Sequence, residues 1–126
     1  MKALSIREPY ASLIKEGIKK IETRSFRTKY RGELLIHASK GKNEASDEVL
    51  SLLEGEMNPG CILCKCKLVD CVYMDEEYIE NIKKNHNEYI CGRYEVGRYG
   101  WVLEDIEVIE PIPAKGQLRF WNYEWK

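Results

Sequence analysis

Gly17 is the position that most restricts how this chain can fold, because it separates two stretches whose apolar residues follow different periods. Upstream, Tyr10, Leu13, Ile14 and Gly17 recur at helical spacing, and Pro9 stands where a first helical turn tolerates a missing N–H. Residues 9–16 therefore read as a short amphipathic helix. A glycine at its end supplies the left-handed residue that stops it. Downstream, Ile21 and Thr23 alternate with Glu22 and Arg24, which predicts a strand starting near Lys20 with Ile21 inward and Glu22 and Arg24 on the other face. Lys19 lies in the turn and is free of that alternation, so it can lean over the helix end toward Glu22 and Arg24. Three charged side chains converge on one turn.

The remainder mixes short strands and helices. Residues 2–6 read as a first strand with Leu4 and Ile6 inward, and Arg7 stands at the helix entrance. Residues 25–30 are a polar, basic loop. Gly32 opens a strand over 33–38 whose Leu34, Leu35 and Ile36 make both faces apolar, as in a strand covered by helices on its outside. His37 within it reads as a hydrogen-bonded structural histidine. Asn43 is placed to cap a second helix, with Glu44, Asp47 and Glu48 near its positive end and Ala45, Val49, Leu52 and Leu53 as its buried stripe. Asn58-Pro59-Gly60 stops that helix and starts a long strand over 61–73. Asp75 caps a third helix carrying Tyr78, Ile79 and Ile82 inward, and residues 85–97 read as irregular. Residues 99–103 and 106–109 are strands interrupted near Glu104 and Asp105 by a bulge or bend; Pro111 and Pro113 end the pairing before a turn at 115–117 and an aromatic tail. Short strands with three helices make an α+β chain.

At 126 residues, 44% hydrophobic and 33% charged, the composition is that of a globular protein, with length for one domain over 1–126. No apolar run approaches the roughly 20 residues of a membrane span, and residues 1–7 lack the apolar core of a signal peptide. The reading is a cytoplasmic protein with no membrane partner. Five cysteines without an export signal read as reduced thiols. Cys64 and Cys66 share one strand face, Cys61 and Cys71 the other, and no second paired motif completes a tetrahedral set, so neither metal nor cofactor is expected. Net charge is −1, yet residues 1–42 carry eleven Lys or Arg against four Glu, a balance of +7, while residues 43–126 carry nine against seventeen, a balance of −8. Such asymmetry points either to an anionic ligand or to a solvated face neutralised by the acidic half.

A guanidinium and an ammonium beside a carboxylate suit a phosphate together with a sugar hydroxyl or base amino group. Tyr10 and Trp101 are either stacking surfaces for a base or core aromatics. The pattern G-x-K-x-x-E-x-R follows Leu4-Ser-Ile-Arg-Glu-Pro-Tyr-Ala-Ser-Leu-Ile14 and precedes Ser25-Phe26 and Arg31-Gly-Glu-Leu-Leu-Ile-His-Ala-Ser39. With Pro111-Ile-Pro-Ala-Lys-Gly-Gln-Leu118 and Phe120-Trp121, it resembles the ASCH (activating signal cointegrator homology) family over nearly the whole chain. The resemblance implies a PUA-like fold: a small β-barrel of five or six mostly antiparallel strands with about three flanking helices. It implies an RNA or nucleotide-like ligand, with single-stranded DNA as the alternative, in a cleft between the first helix and the motif turn. Arg7, Tyr10, Lys19, Glu22, Arg24, Arg27, Lys29, Arg31 and Trp101 are the candidate contacts. A hydrolase is the competing class, since proteins resembling this family include bacterial amidohydrolases acting on acetylated cytidine and others that cut RNA. Lys19 matches the amidohydrolases' motif lysine and would be nucleophile or base, with Glu22 carrying the proton. Those enzymes have Thr where Glu22 stands, and their further catalytic Glu has no counterpart by motif.

Overall fold

The computed structural model describes residues 1–42 and 44–125. β1 (Lys2–Arg7) leads into α1 (Tyr10–Lys15). The Glu8 carboxylate accepts from Ser12 N at 2.8 Å and Ser12 Oγ at 2.6 Å, which fastens the first turn, and Pro9 stands just before the helix with its carbonyl accepting from Leu13 N. Gly17 takes φ +78°, and the N–H groups of Gly17, Ile18 and Lys19 fold back onto the Ile14 and Leu13 carbonyls, so the predicted stop is real. Ala11 and Ile14 enter the main core with Leu4, Ile6, Leu34, Ile36 and Trp101, while Leu13 packs with Val49 and Cys91.

β2 (Ile21–Arg24) and β3 (Gly32–Ser39) follow. Both faces of β3 are buried, but Leu35 packs with Ala3, Ile62 and Trp121. Strands and the chain's last segment cover that face, where helices were expected. The second helix is shorter than its apolar stripe predicts: α2 (Asp47–Leu50) is one turn, capped by Ser46, whose Oγ accepts from Val49 N at 3.2 Å. Leu52 and Leu53 still pack beside Val49, so burial, not helix length, is what the stripe encodes. The expected Asn43 cap lies outside the described residues. β4 (Cys61–Tyr73) has the predicted limits, and Asp75 caps α3 (Glu76–Ile82) through Tyr78 N.

The segment read as irregular contains α4 (His86–Ile90), capped by Asn85 Oδ1 accepting from Glu88 N. Five residues without an apolar period gave no sign of it. β5 (Tyr99–Pro113) is continuous through Asp105, which takes φ +55° where the register against β4 shifts between Lys65 and Lys67. The prolines do not end the pairing, since Ile112 and Pro113 still face Ile62 and Cys61. Beyond Val102, β5 has β4 as its only ladder partner among the described residues, so a proline there can point its missing N–H away from the ladder. β6 (Phe120–Asn122) closes the chain against β1.

The six strands form one sheet of order β2-β5-β4-β3-β1-β6, antiparallel except for β1 with β3. The α+β class and strand number stand, but the sheet is an open half-barrel and not the closed barrel expected. Among the described residues no ladder joins β2 to β1 or β6. β2 has four residues and β6 three, too few to extend pairing across the opening. Side chains span it instead. Arg24 Nη2 donates to the Ser5 carbonyl at 3.3 Å, and Trp101 stacks on Phe120 with centroids 5.4 Å apart.

Candidate functional site

The opening between β1 and β2 is a cleft of about 940 Å³. Its walls are the ends of β1, β2 and β3, the segment after α4, and the turn before β6. Of the predicted site residues, Arg7, Tyr10, Glu22 and Arg24 line it. Glu22 is 8% exposed, and Arg24 grips its Oε2 with Nε at 3.0 Å and Nη2 at 2.9 Å. A buried carboxylate is costly without such partners, and the forked guanidinium supplies two donors at once. Arg24 therefore does two things: it fixes Glu22 and bridges β2 to β1.

Lys19 does lean toward Glu22, with Nζ 3.7 Å from Oε1, but it is 1% exposed and does not line the cleft. Nζ donates to the Ile21 carbonyl and, at 2.9 Å, to the Cys91 carbonyl. Two of the ammonium hydrogens are taken by these carbonyls, and Glu22 stands by as an ion-pair partner beyond hydrogen-bond distance. Tyr10 lies over this group, its ring centre 5.8 Å from Nζ, and is partly buried. Burial, with Cys91 and Glu22 close by, pushes its hydroxyl pKa up.

Trp101 is not a platform. It is 1% exposed, enclosed by Phe26, Phe120 and the Arg24 guanidinium, with its Nε1–H donated to the Phe26 carbonyl. Arg27, Lys29 and Arg31 are also absent from the cleft; they line a separate depression of about 450 Å³ with Thr28 and Cys71. The basic run is thus divided three ways, with Lys19 buried, Arg24 in the cleft and the rest on another surface.

Several cleft residues carried no sequence signal. Lys40, Arg93, Arg98 and Arg119 join Arg7 and Arg24, so among the described residues six cations and one carboxylate, Glu22, line the cleft, with Arg93 also paired to Glu95 at 3.0 Å and Arg7 to Glu44 at 3.9 Å. Arg93, Arg98 and Arg119 come from the half of the sequence with the negative balance. Glu88 of α4 was also missed. It is 4% exposed and accepts from Lys20 N at 2.8 Å and Ile21 N at 3.3 Å, pinning the start of β2. Burial raises its carboxyl pKa, opposed by those hydrogen bonds and by the charges of Lys19 and Lys20.

His37 is 3% exposed at the cleft floor in a chain with a defined direction. The Trp121 indole N–H can only donate, to Ser5 Oγ at 3.1 Å. Ser5 then gives its hydrogen to His37 Nδ1 at 3.0 Å, and His37 Nε2–H donates to the Ala114 carbonyl at 2.8 Å. The histidine holds the C-terminal segment to β3, the structural role expected of it. Gly116 covers the pair so closely that a Cβ there would lie 2.6 Å from both Ser5 Oγ and His37 Cε1.

A family model described as the ASCH domain matches residues 4–113. The chain is 29% identical to Activating signal cointegrator 1 of Mus musculus and 28% identical to that of Homo sapiens, in each case over 98% of its own length. It spans 22% of the length of these relatives. Among solved structures, the crystal structure of ASCH from Zymomonas mobilis matches with a TM-score of 0.60 at 16% identity, covering 89% of this chain and 72% of that one. A mutant of the same protein matches with a TM-score of 0.55 at 17% identity over the same shares. At such identities the likeness speaks for the fold alone.

Proposed function

The chain belongs to the ASCH domain family, and on that premise we propose that its cleft binds single-stranded RNA. One observation carries the reading: a protein of net charge −1 lines this cleft with six Lys or Arg side chains and one carboxylate among its described residues. Cations gathered in a concave, partly apolar wall raise the local concentration of a phosphate-bearing ligand. A volume of about 940 Å³ is in the range that holds a nucleotide-sized ligand. Glu22, fixed by Arg24, offers an acceptor for an exocyclic amino group or a ribose hydroxyl, and the Tyr10 ring offers a stacking face.

The hydrolase reading has less support. A nucleophilic Lys19 needs a free lone pair directed at the ligand, and its Nζ, 1% exposed behind the cleft-lining Tyr10 and Glu22, donates instead to the Ile21 and Cys91 carbonyls. The test is fluorescence anisotropy with a labelled single-stranded RNA decamer across a salt series. Affinity is expected to fall with salt at about −0.7 log units per log salt for each phosphate contacted. Replacing Arg7, Lys40 and Arg93 together by Ala is expected to flatten the slope by about 2. The same DNA sequence reports what the 2′-hydroxyls contribute. Undetectable binding at low salt removes the proposal, and turnover of acetylated cytidine lost in Lys19→Arg restores the hydrolase.

A further inference from the structure

Phe26 is the exposed aromatic that adjoins the cleft. It is 42% exposed, yet its position is fixed: the ring meets Trp101 edge-on with centroids 5.6 Å apart, and its carbonyl accepts the Trp101 Nε1–H at 3.3 Å. Across the ring stands the guanidinium of Arg119, 5.8 Å from the ring centre, and Arg119 itself lines the cleft. The chain then runs from Phe26 directly into Arg27, Lys29 and Arg31 along the second depression. Arg31 has Asp70 at 3.9 Å, an exposed pair of little strength, while Arg27 and Lys29 have no ion-pair partner among the described residues. A flat ring, a facing guanidinium and unpaired cations follow one another outward from the cleft.

The geometry points to an extended RNA track. A strand with one nucleotide in the cleft leaves past Arg119, stacks its next base on the Phe26 ring in place of the Arg119 guanidinium that now lies 5.8 Å from the ring centre, with that flexible side chain moving out to cover the base's other face, and sets later phosphates on Arg27, Lys29 and Arg31. Both halves of the clamp suit any base, because every base has a π-face and guanidinium planes stack on it as aromatic rings do. The inference rests on the RNA reading of the cleft and adds to it a length requirement: a mononucleotide fills the cleft but leaves the track empty.

The experiment compares cytidine monophosphate with a single-stranded RNA decamer on the whole chain. The decamer is expected to bind far more tightly. Phe26→Ala is expected to weaken the decamer about 5- to 150-fold, the range for losing one stacked base, and to leave the mononucleotide unchanged. Phe26→Leu keeps most of the apolar volume over Trp101 without the flat ring, so it should show the same selective loss with an unaltered melting temperature. Phe26→Trp should retain affinity and gain an emission that the decamer quenches and the mononucleotide does not. Replacing Arg27, Lys29 and Arg31 by Ala should flatten the decamer's salt slope by about 2. If the decamer binds no better than the mononucleotide, or if Phe26→Leu binds it as wild type does, the track is wrong and the cleft reading survives. If neither ligand binds, both fall.

Discussion

Lys19 shows how far a residue's surroundings can depart from its sequence context. In a run of basic residues beside a glycine it reads as a surface charge, yet it is 1% exposed and hydrogen-bonded to the Ile21 and Cys91 carbonyls. It ties the turn to α4, and Glu88 ties α4 back to the Lys20 and Ile21 amides, so the two buried charges lock one segment from both sides. The thiols at the centre of β4 show burial acting on chemistry. It pushes Cys64 and Cys66 up to about 12 from an ordinary value of 9.0, with the two thiols opposing each other's ionisation at Cys64. The unfolded chain releases these protons near 9.0 while the folded chain keeps them. Their contribution to stability is therefore complete below that value and is lost as pH rises toward about 12. The unfolding free energy from urea titrations should fall between pH 9 and 10 by at most about 1.4 kcal/mol per pH unit for each thiol, the limit reached once that thiol is fully ionised in the unfolded chain. Cys64→Ala should fall less steeply, by about one proton. An unchanged slope in that variant would overturn the assignment.

At the scale of elements, local rules worked where local forces decide. The Gly17 stop, the limits of β4 and the Asp75 cap were all legible, because a left-handed glycine, a Pro-Gly start and a side-chain cap act within a few residues. Asp105 tests the same point. It holds φ +55° at the bulge that lets β5 run on as one strand, and its ion pair with Lys67, at 3.6 Å and largely exposed, contributes little. Asp105→Val is expected to cost about 1–2 kcal/mol, since a β-branched residue tolerates that conformation poorly. Asp105→Gly should be neutral or stabilising. Thermal midpoints check both, and equal losses in the two variants would show that the side chain matters and not the backbone. What the sequence concealed depends on distant partners. α4 has no apolar period and is anchored through Glu88 to amides 67 and 68 residues away along the chain. Whether Trp101 was platform or core turned on Phe26 and Phe120, which enclose it from β2's following loop and from β6. Half of the cleft's cations were hidden because Arg93, Arg98 and Arg119 lie in the acidic part of the chain.

For the whole molecule, charge by sequence half and charge by surface are different quantities. The fold draws cations from both halves into one cleft and leaves Glu104, Asp105, Glu107 and Glu110 exposed along the outer part of β5, where none of them lines the cleft. A chain of this length has a radius of gyration of about 14 Å, so opposite faces lie well beyond the Debye length of about 10 Å at 0.1 M salt. At 0.01 M the screening length grows to about 30 Å and the acidic strand acts on the cleft. Changing these four residues to Gln or Asn makes the net charge +3, since the wild type is −1 and four negative charges are removed. If the cleft governs binding, the decamer's affinity should rise in the variant at 0.01 M salt and match wild type at 0.15 M. If net charge governs it, the advantage should persist at 0.15 M and extend to any polyanion. Heparin, which offers sulfates without bases, completes the test at 0.15 M: a variant that binds both RNA and heparin as wild type does assigns recognition to the cleft, and one that gains affinity for both assigns it to net charge.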